Sequence, residues 1–290
     1  MEDLESSLAK VEALPREQVP SALAAMAGDI PATLLTGGNT PGRLVSILVD
    51  VIHKGLGTGR ERLAIGELLG RIGDPRLRTP DDSDYWVRVP YEGSTVVIGK
   101  YPVTNHEFAA WADAGGYDNR ATWSDDGWAW REKCSDPWPI NAKQPDADAF
   151  VVANQPVVGV TFWEAEAFAA AHGARLPRED ERIWVVRGSE KRPYPWGSPF
   201  REGDANTQEE VLGRPSAVGL YVKDRTPEGV YDLAGNVAEW TCDPDPEGTR
   251  RLVHPGSWDQ PSMAAWAKAK EYRGTDDRGA ALGFRISRDA

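Results

Sequence analysis

Side chains that commonly hold metals or act as nucleophiles are few in this chain, and their spacing matches no familiar metal motif. The chain contains four histidines and two cysteines. These residues are His53, His106, His172, His254, Cys134 and Cys242. No HExxH, HxxxH or facial-triad spacing connects the histidines, and the cysteines lie far apart, as free thiols would. No Walker A or GxGxxG loop is present, so the sequence predicts neither a nucleotide site nor a histidine-bound metal.

Oxygen ligands for a hard cation are most concentrated in GVYDLAGNVAEWTCD, residues 229–243. Asp232, a glycine-containing turn and Asp243 place carboxylate and carbonyl oxygens in one loop. Calcium takes about six to eight oxygen ligands, many of them backbone carbonyls of irregular loops. An Asx-type turn, in which the Asp232 side chain bonds its own backbone, explains the same residues without a metal. The spacing alone leaves both interpretations open.

A second candidate is the aromatic-rich segment HPGSWDQPSMAAWAKAKEY, residues 254–272. Two tryptophans, a tyrosine and charges of both signs in a loop-like run are typical of a surface that contacts something. The segment has no cysteine, and its only histidine stands at its start. It is therefore either the floor of an active site or a face that only binds.

The charge and composition narrow the classes of partner. A net charge of -12 over 290 residues argues against the basic surface that nucleic acids or anionic membranes require. No apolar run approaches the length of a transmembrane helix, and the acidic start MEDLESSLAKVEAL resembles no signal peptide. We therefore expect a cytoplasmic protein with no nucleic-acid or membrane partner. Twelve tryptophans and 29 glycines favour a loop-rich fold anchored by large aromatic side chains.

Residues 1–80 are predicted to form a helical region of three or four helices, arranged as HEAT-like hairpins. Apolar residues recur there at helical spacing. They are Leu4, Leu8, Val11, Leu44, Ile47, Leu48, Val51, Ile65, Leu68, Leu69 and Ile72. Thr40 is expected as an N-cap, with Pro41 as the first helical residue after it. The polar segment RTPDDSDYW, residues 78–86, marks the expected boundary with a second domain at 81–290.

Short strands and a few capped helices are predicted beyond this boundary. WVRVP and TVVIGKYPV have the composition of strands. Thr104 with Glu107, and Thr161 with Glu164, have the spacing of capping boxes that begin helices. A third helix is expected to begin at Pro177, because three acidic residues follow it and suit the positive end of a helix dipole.

Seven motifs follow one another between residues 85 and 290. They are YPVTNHEFAAWADAGGY, QPVVGVTFWEAEAFAAAHGARLPREDERIWVVRG, YPWG, AN, VYDLAGNVAEW, GSW and GFRIS. Together they resemble the formylglycine-generating enzyme (sulfatase-modifying factor) family. The resemblance implies an α+β, C-type-lectin-like fold rich in structured loops, here preceded by the helical region. The family includes oxidases, sulfoxide synthases and non-catalytic binding proteins, so the fold does not decide the function.

The resemblance also implies which catalytic groups this chain lacks. The oxidases bind copper with two cysteines after the GSW motif, and alignment on Ser257-Trp258 places these positions near Gln260 and Ala265. Neither can supply a thiolate, so we expect no bound copper and no formylglycine generation. The sulfoxide synthases bind iron through histidines of an N-terminal helical domain. Only His53 lies in that part of this chain, so we expect no iron.

Structural calcium is the cofactor that the resemblance does favour. The family's ligands in the segment matching DLAGNV correspond to the Asp232 side chain and the carbonyls of Leu233, Gly235 and Val237. A second family site begins at the AN motif, here Asn206-Thr207. Its later acidic ligand falls in a stretch that this chain lacks, and Glu209 or Glu210 is the candidate substitute.

The preferred prediction is a non-catalytic module that binds a protein or small-molecule ligand whose identity is unknown. In the non-enzymatic relatives, the segment from GSW to GFR is the exposed binding face. The corresponding candidates are Trp258, Asp259, Gln260, Trp266, Glu271, Tyr272 and Arg273. Because Trp258 belongs to the fold motif, a core position explains it equally.

Three further hypotheses stay open at the level of sequence. One version of the binding module is a variable protein of a diversity-generating retroelement. A different class of function is a metal-dependent oxidase, using iron or copper, with a rewired site. The third is an adaptor in which the helical N-terminal region docks a partner while the lectin-like domain senses a ligand.

Overall fold

The computed structural model describes residues 2–29, 42–139 and 147–290. Within these ranges the first part of the chain is helical, as predicted. Its helices are α1 (Glu2–Glu12), α2 (Val19–Asp29), α3 (Gly42–His53) and α4 (Gly59–Ile72). The predicted cap at Thr40 and Pro41 lies outside the described residues. None of the described helices is long and apolar enough to span a membrane.

The N-terminal helices share a hydrophobic core with the second part of the chain. Leu8, Leu23, Leu48 and Leu69 are fully buried in this core. The same cluster contains Leu212, Leu220 and Tyr221 from a loop far along the sequence. Burial of apolar surface stabilises roughly in proportion to its area, so this shared core holds the helices on the lectin-like part.

Helix α4 makes the closest approach between the two parts. The Asn154 amide donates to the carbonyl of Gly66 at 3.0 Å and to the carboxylate of Asp74 at 2.9 Å. A Cβ atom at Gly70 would overlap the Asn154 side chain, and one at Gly66 would lie 2.9 Å from the Cβ of Ala217. Glycines at these positions therefore allow the helix backbone to contact the second part directly.

Two sheets form the framework of the second part. Their strands are β1 (Trp86–Tyr91), β2 (Ser94–Gly99), β3 (Ala238–Pro244), β4 (Arg250–His254), β5 (Glu271–Gly274), β6 (Leu282–Phe284) and β7 (Ser287–Arg288). One sheet has the order β1-β2-β7 and is antiparallel. The other has the order β5-β4-β3-β6, in which only β3 and β6 run parallel.

The strand predicted from TVVIGKYPV is shorter than expected. It ends at Gly99, where the Lys100 amide turns to bond the Tyr85 carbonyl at 2.8 Å. Pro102 has no amide hydrogen to continue a ladder. The Val103 amide then bonds the carbonyl of Phe284 at 2.9 Å, which ties this segment to the other sheet.

Four helices lie between the strands within the described ranges. They are α5 (Asn105–Asp113), α6 (Asp125–Lys133), α7 (Phe162–Ala171) and α8 (Glu179–Arg187). Capping boxes at Thr104 and Thr161 begin α5 and α7, as the sequence predicts. Helix α8 begins at Glu179 rather than at the predicted Pro177, because Arg178 is extended and serves as its N-cap. Helix α6, capped by Ser124, is not predicted from the sequence.

Large aromatic side chains fill the core between the sheets and helices. Trp240 is fully buried, and its Nε1 donates to the Val160 carbonyl at 3.1 Å. Phe108, Phe168 and Phe284 pack together in the same cluster. A buried indole needs a partner for its N–H, and Trp240 has one.

Adding a methyl group at Gly70 is expected to destabilise the contact between α4 and the second part. Gly70→Ala must displace Asn154, and overpacking of this kind costs about 1–3 kcal/mol. Gly28→Ala is the matched control, since it lies in a helix with nothing within 4 Å of the added Cβ. It should be neutral or stabilise by up to about 1 kcal/mol. Chemical denaturation monitored by circular dichroism measures both, and equal effects would contradict this packing.

Candidate functional site

A buried carboxylate between two arginines organises the loop that carries the candidate calcium ligands. Glu239, on β3, accepts from Arg182 Nε at 2.8 Å and from Arg285 Nε at 2.8 Å. All three side chains are almost fully buried. Although burial opposes ionisation, the two guanidinium groups hold the pKa of Glu239 below its usual range. The carboxylate therefore stays charged and keeps both arginines in place.

The same two arginines bind the backbone of the neighbouring loop. Arg285 Nη2 donates to the carbonyls of Tyr231 at 2.8 Å and Asp232 at 3.0 Å. Arg182 Nη2 donates to the carbonyl of Leu233 at 2.8 Å. The guanidinium groups thus supply positive charge to three consecutive carbonyls of the candidate cation loop.

Asp224 binds this loop from its amide side. Its two carboxylate oxygens accept from the amides of Leu233, Ala234 and Gly235, each at 3.0 Å. Burial raises the pKa of Asp224 to about 6, against the lowering effect of these amide bonds. The loop is therefore bound on its amide side by one carboxylate and on its carbonyl side by two arginines.

Asp232 is buried at the start of the loop in a left-handed conformation, with φ of 54°. Its Oδ2 accepts from the Gly219 amide at 2.7 Å, so the side chain bonds a residue far from its own turn. Burial raises the pKa of Asp232 to about 8, and the negative charge of Asp224 raises it further. This carboxyl is the most strongly perturbed acid of the loop.

The other predicted calcium ligands have protein partners for at least two of their carbonyls. The Leu233 carbonyl accepts from Arg182 Nη2, and the Gly235 carbonyl accepts from the Val237 amide at 3.0 Å. Among the described residues, no group of three or more His, Cys, Asp and Glu side chains could hold a metal. Calcium at Asp232, Leu233, Gly235 and Val237 remains a prediction, and binding would have to displace the Arg182 contact.

The second calcium segment is also bonded within the protein. The Asn206 carbonyl accepts from the Asn236 amide at 2.8 Å. Glu209 Oε1 accepts from the Ser262 amide at 2.8 Å, whereas Glu210 Oε2 accepts from the Tyr221 hydroxyl at 2.8 Å. Although burial raises it, hydrogen bonds from Ser262 and Thr207 lower the pKa of Glu209 to about 2. The two acids thus turn towards different partners.

Residues 256–266, called the GSW loop below, contain the positions that match the family's cysteines. Gln260 turns its Oε1 inward, where it accepts from the Gly256 amide at 2.9 Å and from the Ser257 hydroxyl at 3.0 Å. Ala265 is buried in a small cluster with Ala205 and Ala234. Both positions therefore serve the loop's own packing and present no reactive group.

The first predicted contact residues differ in their exposure. Asp259 is exposed, and its Oδ1 accepts from the Ser257 hydroxyl at 2.6 Å. Trp258 is half-buried, with its ring 6.2 Å from that of Phe150, and its Nε1 has no partner among the described residues. Trp266 is 47% exposed. The tryptophan outside the fold motif is therefore the one that faces solvent.

The remaining predicted contact residues lie on the edge strand β5 and do not share one face. Glu271 Oε1 accepts from Arg273 Nε at 2.9 Å, so these two side chains lie together. Alternation along the strand places Tyr272 on the opposite face. There it packs beside Arg250, whose guanidinium carbon lies 5.7 Å from the ring centre. The seven predicted residues therefore form separate groups rather than one continuous surface.

Three large exposed apolar side chains, those of Val151, Val211 and Met263, are not among the predicted contact residues. The large exposed hydrophobic residues of the described ranges are Val151, Val211, Met263 and Trp266. Met263 is 77% exposed within the loop itself, and Val211 is 69% exposed. Residue type alone gives no signal for them, because an exposed valine or methionine looks like a core residue in the sequence.

The histidines and cysteines do not form a catalytic arrangement among the described residues. His254 is buried beside the Ala269 carbonyl, and burial lowers the pKa of its imidazole to about 3. His172 lies at the end of α7, with Nδ1 2.8 Å from the Phe168 carbonyl. Cys134 and Cys242 are free and half-buried, and burial raises the pKa of the Cys242 thiol. A thiol with a raised pKa is a weak nucleophile at neutral pH.

The two sheets, their helices and the long structured loops define a C-type-lectin-like α+β domain, as the sequence predicts. Residues 87–290 match the family described as a sulfatase-modifying factor enzyme 1-like domain, and the chain belongs to this family. The resemblance found in the sequence motifs is thereby confirmed.

Similar proteins with different names share this domain. A hercynine oxygenase of Mycolicibacterium thermoresistibile is 38% identical over 162 residues, covering 51% of this chain and 35% of that protein. The match thus spans about a third of that relative's length. PvdO from Pseudomonas aeruginosa has a TM-score of 0.53 at 21% identity, covering 71% of this chain and 91% of that chain. Variable protein 1 of Treponema denticola has a TM-score of 0.51 at 18% identity, covering 68% of this chain and 85% of that chain. These structural similarities concern the fold alone.

Replacing the ionisable carboxyl group of Asp232 is expected to change how the stability of the fold depends on pH. Because the folded pKa is raised from 3.8 to about 8, the folded chain retains a proton that the unfolded chain has lost. Stability from this group therefore falls as the pH rises from about 4 to about 8. Asp232→Asn keeps an acceptor for Gly219 and should flatten the decline of Tm between about pH 6.5 and pH 8.5. An unchanged slope would contradict the raised pKa.

Asp224→Asn is the matched comparison, since both carboxylate oxygens of Asp224 accept amide hydrogens. An asparagine NH₂ group would face one of these donors, so we expect a loss of about 1–3 kcal/mol. His254 titrates in the unfolded chain near pH 6.5 and affects stability below that value. Burial also raises the pKa of Glu107 to about 7, so its contribution declines in the same range. The difference in slope between the wild-type protein and Asp232→Asn is therefore the measure of the Asp232 contribution.

Calcium binding at the loop can be tested with the same variant. If calcium binds through Asp232, millimolar calcium should raise the Tm of the wild-type protein relative to EDTA, and Asp232→Asn should abolish the increase. Equal melting temperatures in calcium and EDTA for the wild-type protein would remove the calcium prediction.

Proposed function

We propose that this protein is a non-catalytic binding module that contacts a protein partner through the surface around the GSW loop. The observation that carries the proposal is the position of the exposed large apolar side chains. Met263 and Trp266 belong to the GSW loop itself. Exposed apolar groups that lie close together are typical of protein contact sites.

The other two exposed apolar residues lie on segments that contact this loop. Val211 follows a short 3₁₀ turn, Gln208–Glu210, whose Gln208 amide donates to the Gln260 carbonyl at 2.9 Å. Val151 follows Phe150, whose ring packs against that of Trp258. The exposed apolar side chains therefore belong to the GSW loop or to segments that contact it.

The residues at the cysteine positions support binding rather than redox chemistry. Gln260 is committed to hydrogen bonds within the loop, and Ala265 is buried. An oxidase mechanism through two thiolates has no thiolate at either position. Trp266 has the character of an interaction hot spot, because truncation of a tryptophan in an interface often costs about 2 kcal/mol or more.

A second candidate function is oxygenase chemistry. The observation that favours it is the 38% identity over 162 residues to a protein named hercynine oxygenase. Incubation of the purified protein in air with hercynine, ferrous iron and a small thiol tests it. Oxygen uptake that depends on the protein would support the second candidate and contradict the first, whereas its absence supports binding alone.

A variable protein of a diversity-generating retroelement is one specific form of the proposed binding module. A template repeat and a reverse transcriptase beside the gene would support this form. If neither the repeat nor the reverse transcriptase lies beside the gene, the retroelement form is excluded and the broader proposal of a binding module is unaffected.

Truncation of the exposed apolar side chains is expected to abolish partner capture. The protein and the double variant Trp266→Ala, Met263→Ala are used as baits in the native lysate, and bound proteins are quantified by mass spectrometry. A loss of about 1.4 kcal/mol or more of binding free energy weakens the affinity at least about tenfold, and the amount of captured partner falls accordingly. Lys268→Ala, an exposed change in the same region, is the control and should capture the same amount. A partner retained equally by the double variant would contradict the proposed surface.

A further inference from the structure

A large cavity lies where the N-terminal helices meet the lectin-like domain. Its volume is about 710 Å³, within the range of about 300–1,000 Å³ that is typical of small-molecule sites. Helix α3 contributes Val49 and His53, and the segment after α4 contributes residues 75–78. The lectin-like domain contributes Lys100, Tyr101 and the loop at 225–231. Both parts of the chain are needed to form this cavity, called the cationic cavity below.

Four positively charged side chains line the cationic cavity. They are Arg76, Arg78, Lys100 and Arg225. Arg76 is held by Asp74 through two hydrogen bonds, of 2.6 and 3.0 Å. Among the described residues, no ion pair involves Arg78, Lys100 or Arg225. Arg78 Nη1 donates to the carbonyls of Pro75 and Leu77, each at 2.7 Å. Lys100 and Arg225 therefore face the cavity without an ion-pair partner among the described residues, in a protein whose net charge is -12.

Three carboxylates of the described residues also line the cavity, and none forms an ion pair with these cations, although the charge of Asp84 partly offsets the lowering of the Lys100 pKa. Asp84 is exposed and lies beside the Ser83 hydroxyl at 3.4 Å. Glu228 lies 3.9 Å from Arg192, a residue outside the cavity lining. Glu107 is buried in the wall, where its Oε2 accepts from the Thr104 hydroxyl at 2.6 Å and from the Thr104 amide at 2.8 Å.

Lys100 lies at the centre of this positive charge. Burial lowers the pKa of its amine, and the charges of Arg225, Arg78 and Arg76 lower it further. Its Nζ lies 5.3 Å from the ring centre of Tyr101 and 5.8 Å from that of Tyr231. The two rings hold the amine in place. The guanidinium carbon of Arg225 also lies over the Tyr231 ring, 5.5 Å from its centre. Mutual repulsion of these cations is relieved when an anion lies between them.

We propose that the cationic cavity binds the oxyanion group, phosphate or carboxylate, of a small molecule. Guanidinium forks and an ammonium group are the donors that bind such oxyanions in proteins. Tyr101 and Tyr231 offer flat surfaces for the rest of the ligand. The site lies apart from the residues of the GSW loop, so it is independent of the protein contact proposed above. Because α3 and the segment after α4 form part of its wall, the helical region takes part in ligand binding.

Isothermal titration calorimetry with two probes tests this site in the full chain. Inorganic pyrophosphate and citrate are titrated separately at constant low ionic strength. The wild-type protein is expected to bind at least one of them. Binding of pyrophosphate alone identifies a phosphate ligand, binding of citrate alone identifies a carboxylate ligand, and either outcome supports the proposal.

The variants Arg225→Gln and Lys100→Gln are each expected to weaken binding by about tenfold or more. Lys223→Gln is the matched control, because Lys223 is exposed two residues from Arg225 and does not line the cavity. Its affinity should stay within about twofold of the wild-type value. Arg225 is exposed, so its variant tests the site even if the half-buried Lys100 variant folds poorly. No binding of either probe at millimolar concentration, or equal affinities for Arg225→Gln and Lys223→Gln, would overturn the proposal.

Discussion

The carboxylate of Glu239 lies buried between Arg182 and Arg285, and this contact joins a helix, both sheets and the loop at 231–233. Arg182 comes from helix α8, Glu239 from the central strand β3, and Arg285 from the residues that follow β6. Arg285 also bonds the Gly99 carbonyl at the end of β2, which joins the two sheets. A buried charge without its partner is strongly destabilising, so each member fixes the other two.

This network explains why a loop with the sequence of a cation site is so fully satisfied by protein groups. Guanidinium groups bind three carbonyls of residues 231–233, and Asp224 accepts three amides of residues 233–235. The loop is thereby held rigid next to the GSW loop, whose Trp258 amide bonds the Asn236 carbonyl at 3.1 Å. Rigid support of this kind suits a surface loop that presents side chains to a partner.

The two proposed sites use different physical properties of the same molecule. The surface around the GSW loop offers apolar side chains, whereas the cationic cavity offers positive charge in a protein that is acidic as a whole. Asn154 and the shared core hold the helical region, which forms part of the cavity wall, against the lectin-like domain. Binding of an anion there would therefore strengthen the attachment of the helical region, since a ligand stabilises the state that binds it.

The sequence by itself determined the family, the fold class and the starts of helices α5 and α7. Capping boxes are readable because Thr104 and Glu107 lie three positions apart and bond locally. The Glu239–Arg285 contact spans 46 positions, and the cavity combines Arg76 with Arg225, so only the tertiary structure could bring these side chains together. The tertiary structure likewise decided that Trp266 faces solvent and that Tyr272 packs beside Arg250 of the neighbouring strand. Exposure and face depend on long-range packing, which residue type and spacing do not encode.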